Sequence, residues 1–251
     1  MTRTTAFVLA LFLTMPLLGQ IPNPSLERVL LPVFTPPVHG AFASEFHTDL
    51  RIWNAGENTI TLNGLLANCV VTCIEPPDQP FDVPSRRELT PEDFSYSGTP
   101  GRFIYVPKAG IEELSMNLRV HDVSRGGLNY GTEMPIVRES EFVINRIVLV
   151  GIPTDPRFRN TLRIYSTGAT DVIVTVNDQA PVRVALQKTA DVFDPAYGVF
   201  TQFPTGTAPV RVTIQTDPNI VTLLPIEVPL WAFVTVTNNE TQVISTITPQ
   251  P

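Results

Sequence analysis

A chain of 251 residues with 17 basic against 24 acidic residues, net charge −7, lacks the basic surplus that nucleic acid or an anionic membrane surface rewards. Its 25 prolines are about twice the usual share of ~5%, which argues against long helices, because proline breaks helix interiors and settles at turns and sheet edges. The sequence carries no zinc-type Cys/His set, calcium loop, P-loop or G-x-G-x-x-G, so no cofactor and no metal are expected.

The chain opens on MTRTTAFVLALFLTMPLLGQ, with Arg3 ahead of an apolar run from Ala6 to Leu18. That run is shorter than the ~20 residues of a spanning helix and has the length of a signal-peptide core. Residues 1–19 are therefore expected to be cleaved, leaving an exported protein of the extracellular space, cell surface or periplasm. No later run is long enough to span a membrane. Short strands follow: 28–33, 46–53, 59–66, 102–106, 115–121 and 134–137, then 145–150, 160–165, 171–176, 182–186, 199–203, 210–215, 233–237 and 242–247. Short strands at spacings of roughly 8–12 residues, separated by turn dipeptides, predict an all-β sandwich or barrel. The only helical signal is one turn at LTPEDF, with Thr90 as cap and Pro91 in the first position.

Cys69 and Cys73, in ANCVVTC, are candidates for a disulfide because export favours one. A straight strand would hold their Cα atoms about 13 Å apart, four steps of ~3.3 Å, whereas a bridge needs about 7 Å or less. Either the segment turns sharply and closes a small ring, or the thiols stay free.

One phrase occurs twice. Phe46, Leu50, Arg51, Ile52 and Gly56 recur without a gap as Phe158, Leu162, Arg163, Ile164 and Gly168, with Trp53 answered by Tyr165. The flanking strands agree as well, RVLLPV (28–33) with RIVLVG (146–151) and TITLN (59–63) with DVIVT (171–175). Duplication is the economical reading, with domains at 20–140 and 141–251. Strand alternation sends Phe46, Leu50 and Ile52, and Phe158, Leu162 and Ile164, to a core. The other face carries Arg51 and Trp53 in one copy and Arg163 and Tyr165 in the other. These four residues form a candidate binding strip, in which an exposed Arg over an aromatic ring contributes ~0.5–1 kcal/mol.

Catalytic signals are thin. His47 and Asp49 share a strand face, but Arg159 and Thr161 replace them in the second copy, which removes the case for a duplicated site. His121, Asp122 and Ser124 lie too close along one strand and turn to converge as a triad, and no G-x-S-x-G elbow is present. His39 is isolated. The acids at Glu112, Glu113, Asp191 and Asp194 are scattered. The aromatics Phe193, Tyr197, Phe200 and Phe203 read as core packing. Asn239-Glu240-Thr241 is an N-glycosylation sequon, meaningful only where exports are glycosylated.

The tandem F-x-T/N-x-L-R-I-aromatic strand, with a closing strand at Gly131–Pro135, resembles uncharacterised secreted bacterial proteins built of tandem immunoglobulin-like β-sandwich repeats. The resemblance implies two such domains after a signal peptide and no known activity. Periplasmic pilus chaperones share the two-sandwich plan but are typically basic, with paired cleft cations for which Arg28 and Lys108 are nominal counterparts. The function expected is non-enzymatic: adhesion, or binding of a protein or glycan partner at the cell surface. A secreted carbohydrate-active or other hydrolase with loop-borne acids and a pilus-type chaperone are the alternatives.

Overall fold

A computed structural model describes residues 23–34, 37–64, 80–90, 100–124, 130–144, 146–188, 194–218 and 228–249. Within them the protein is all-β and antiparallel, with short 3₁₀ turns at Ala41–Ala43, Ile111–Glu113 and Glu139–Glu141. The signal segment, residues 91–94 of LTPEDF, and Cys69 and Cys73 lie outside the described residues, as do Asp191 and Phe193.

In the first half, β1 (Leu26–Pro32) lies between β7 (Gly101–Pro107) and β10 (Val137–Arg138), while β4 (Ile60–Leu62) pairs with β5 (Phe81–Val83). A bridge from Asn63 to Tyr105 ties β4 to β7. The other sheet runs β2 (Val38–His39), β3 (Glu45–Asn54), β8 (Leu114–Asp122), β9 (Thr132–Met134), with β6 (Glu88–Leu89) also on β3. In the second half the order is β11 (Arg146–Ile152), β16 (Val210–Thr216), β13 (Thr170–Val176), β14 (Val182–Leu186) in one sheet. The other runs β15 (Ala196–Phe200), β12 (Phe158–Ser166), β17 (Leu230–Asn238), β18 (Ile244–Ile247). The two halves pair their strands alike: β1, β7, β4 and β5 answer β11, β16, β13 and β14, and β6, β3, β8 and β9 answer β15, β12, β17 and β18.

The strand order departs from the immunoglobulin arrangement. Counted along the second half, strands 1-6-3-4 form one sheet and 5-2-7-8 the other, where a constant-type immunoglobulin domain sets 1-2-5-4 against 3-6-7. The seventh strand shows the difference. β17 lies between β12 and β18, inside its sheet, where the seventh strand of the immunoglobulin order is at an edge.

Alternation places the cores as the residue pattern predicts. Leu50 and Ile52 enter the first core with Leu30, Phe34, Ile104 and Leu118; Leu162 and Ile164 enter the second with Leu149, Val174, Val212 and Val234. The first core does not close on its own half. Tyr165, Trp231 and Phe233, from the outward face of the β15-β12-β17-β18 sheet, complete it. Tyr165 is fully buried and its hydroxyl donates to the Pro100 carbonyl at 3.0 Å. Gly101 permits the approach, since a Cβ there would stand 2.7 Å from the Tyr165 ring. The segment between the halves is also anchored: Arg28 pairs with Glu139, and the Ser140 hydroxyl donates to Glu27 at 2.7 Å.

Candidate functional site

The core constrains only one face of each strand, so the opposite face of the β3–β8 pair is where recognition chemistry is free to collect. On β3 alternation turns His47, Asp49, Arg51 and Trp53 outward. On β8 it turns out Ser115, Asn117, Arg119 and His121. Antiparallel register sets His47 opposite His121, Asp49 opposite Arg119, Arg51 opposite Asn117, and Trp53 opposite Ser115. All of these except His47, together with Glu88 from β6 and Tyr130 ahead of β9, line an open concavity of about 540 Å³.

Its polar groups hold one another in place. Arg51 Nη1 donates to Glu88 Oε1 at 3.1 Å. Arg119 Nε donates to Asn117 Oδ1 at 2.9 Å and its Nη1 to the Tyr130 carbonyl at 3.1 Å. His47 Nε2 lies 3.2 Å from Glu45 Oε1. His121 Nδ1 and Asp49 Oδ2 are 3.7 Å apart, an electrostatic neighbour and not a hydrogen bond. The two imidazole centroids are 6.0 Å apart. Exposed ion pairs of this kind contribute little to stability, ~0–1 kcal/mol each, so their consequence is orientation. Trp53 is 41% exposed and Tyr130 76%, which leaves two aromatic rings unspent by the fold. Two acids, Asp49 and Glu88, face two arginines, Arg51 and Arg119, so the charge of the surface is balanced. Donors, acceptors and an aromatic face without net charge suit a neutral polyhydroxylated ligand better than an ion.

The repeated strip is therefore not a surface feature of both halves. Arg51 and Trp53 lie on the concavity. Tyr165, its counterpart in the second copy, is buried against Trp231, Phe233 and Tyr197. Arg163 Nη1 donates to the Tyr197 hydroxyl at 2.7 Å. Docking of the halves covers that pair. The cation–π contacts among the described residues are Arg28 on Phe103, Arg157 on Phe158 and Arg159 on Phe42, none within the strip. Arg28, a nominal cleft cation, is ion-paired with Glu139.

Asp122 points away from His121 and caps the following turn, accepting from the Ser124 amide and hydroxyl at 3.0 and 2.6 Å and from the Glu45 amide at 3.0 Å. Tyr197 and Phe200 face opposite sides of β15: Phe200 is buried in the second core with Phe203 against it, and Tyr197 packs on the first. Among the described residues no three of His, Cys, Asp or Glu are grouped to hold a metal ion, and no helix is long and apolar enough to cross a membrane.

Sequence reasoning paired His47 with Asp49 along one strand and missed that His121, Arg119 and Asn117 stand opposite. The signal lay in SMNLRVH (115–121), whose alternate positions are all polar. Glu88 and Tyr130 carried no comparable signal, because short strands and turns bring them in. No protein-family model, no curated protein and no solved structure matches the chain.

Proposed function

We propose that the protein is an exported, non-enzymatic binding protein of two tandem β-sandwich units meeting near residue 140. It engages a neutral glycan through the outward face of β3 and β8. The observation that carries this reading is the concavity in which exposed Trp53 and Tyr130 flank a charge-balanced, mutually braced set of polar side chains. A sugar ring presents an apolar face that stacks on Trp or Tyr, while its hydroxyls exchange hydrogen bonds with carboxylate, amide and guanidinium groups. The concavity is open and shallow, which suits a chain passing across a sheet face more than a small molecule enclosed in a pocket. Residues of the second half that correspond to this face are spent on docking, so one sheet face per chain serves binding.

The test is a glycan array on the mature chain, followed by calorimetry on any hit with Trp53→Ala and Asn117→Ala. Saturable binding that each substitution weakens about tenfold, through loss of a stacked ring or a bidentate hydrogen bond, supports the reading. Binding indifferent to both substitutions, or turnover of a glycan that Asp49→Asn abolishes, overturns it.

A further inference from the structure

Between the two halves lies a second cavity, of about 180 Å³. Its floor is the outward face of β12 and β17, where Thr161 stands opposite Thr235 and Arg163 opposite Phe233. Its roof is the apolar end of the first half, with Val38, Phe46 and Met134. One wall is thus cationic and hydroxylated, and the other is aliphatic and aromatic.

Arg163 is the group in this cleft that the fold leaves unfinished. Its Nη1 is committed to the Tyr197 hydroxyl. Its Nε is shielded from solvent and has no acceptor. Among the described residues the arginine ion pairs run through Arg28, Arg51, Arg86, Arg138, Arg157 and Arg183, not through Arg163. Arg159, on the same floor, is held by Asn239 and Gln242. A desolvated charged donor without an acceptor is unfavourable, and an incoming acceptor relieves it. With Nη1 turned to Tyr197, the Nε and Nη2 hydrogens form the parallel pair that a carboxylate accepts side-on.

We propose that this cleft binds a small amphipathic monocarboxylate. On binding, the Arg163 side chain turns its Nε edge into the cleft, where the carboxylate accepts from it and from the Thr161 hydroxyl, and the alkyl tail lies against Val38, Phe46 and Met134. The space is that of roughly six waters at ~30 Å³ each, which suits a short chain such as hexanoate. The site is separate from the β3–β8 face and does not depend on what that face binds.

Calorimetry of the full mature chain with hexanoate tests this. Hexanoate binds one-to-one with Kd of about 1 mM or tighter, and hexanol, hexylamine and acetate bind at least about tenfold more weakly, because each lacks the charge or the tail. Arg163→Gln lowers hexanoate affinity at least about tenfold. Val38→Trp has the same effect from the apolar side. It introduces its ring at a position 44% exposed on an edge strand, so it remains informative if Arg163→Gln perturbs folding, which circular dichroism and the melting midpoint monitor. Trp53→Ala leaves hexanoate binding unchanged. Hexanol or acetate binding as tightly as hexanoate overturns the proposal, as does unchanged affinity in a folded Arg163→Gln or Val38→Trp variant. Absence of saturable binding up to about 10 mM hexanoate overturns it too.

Discussion

Phe233 lies on a strand of the second half and is completely buried in the core of the first, so Phe233→Ala tests whether the halves are one cooperative unit. Its ring stacks near Tyr165, with centroids 6.4 Å apart, and tilts against Trp231 at 5.2 Å. Truncating a buried Phe costs about 3–5 kcal/mol through lost transfer energy and a residual cavity. With a urea m-value of about 3 kcal/mol/M for a chain of this size, the midpoint falls by roughly 1 to 2 M. The two tryptophans supply the assay. Trp53 lies on β3 of the first half and Trp231 at the junction, so single-tryptophan variants made by Trp→Phe report separately by fluorescence. Both report one coincident transition in the parent chain, and Phe233→Ala lowers both midpoints equally. Two separated transitions in the parent, or a Phe233→Ala shift confined to Trp231 while Trp53 keeps its midpoint, refutes the reasoning. In either case the first half would close its core without the second.

Gly101→Ala brings a methyl to 2.7 Å from the Tyr165 ring and destabilises the chain by about 1–3 kcal/mol through overpacking, measured as a urea midpoint shift. Burial pushes the Tyr165 hydroxyl well above the ordinary tyrosine range, and the neighbouring Tyr197 adds to this, against the opposing pull of Arg163. The folded chain therefore keeps that proton at pH values where the unfolded chain has lost it. The stabilisation is fully present below the unfolded value of about 10, and stability then falls by ~1.4 kcal/mol per pH unit. Tyr165→Phe removes this slope at the cost of the hydrogen bond to Pro100, about 1 kcal/mol at neutral pH, and parallel urea titrations at pH 8 to 11 check both. The Arg138 guanidinium, bonded to Glu112 at 2.7 Å, holds that carboxyl below the usual glutamate range. An NMR titration finds it depressed, and Arg138→Gln returns it to the ordinary value.

Alternation made much of the fold legible. The polar–apolar pattern around Leu50 and Ile52, and again around Leu162 and Ile164, fixed strands, faces and the repeat, because a sheet residue has only two directions to point. Strands of two or three residues, such as Val38–His39, Phe81–Val83 and Glu88–Leu89, were not legible. Pairing with a longer neighbour holds them, and their own side chains give no periodic signal. The run 199–203 shows the same limit in another form: the strand lies at Ala196–Phe200, drawn back by pairing with β12, where Tyr197 stands opposite Tyr165.

The fate of the repeated phrase follows from one run of residues that alternation alone misreads. LWAFV in β17 is apolar at successive positions, a pattern that a half-exposed strand does not need and a doubly buried one does. Its corresponding strand in the first half, β8, reads LSMNLRVHD and alternates. The difference between these two central strands decides which copy of the phrase faces water. Beside β8, Arg51 and Trp53 join a polar lattice open to solvent. Beside β17, Tyr165 joins Trp231 and Phe233 under the first half, and Arg163 is carried into the cleft. The same phrase thus lies on a solvent-open face in the first half and on a docking face in the second. The divergence between His47 and Arg159, and between Asp49 and Thr161, is the sequence trace of that division.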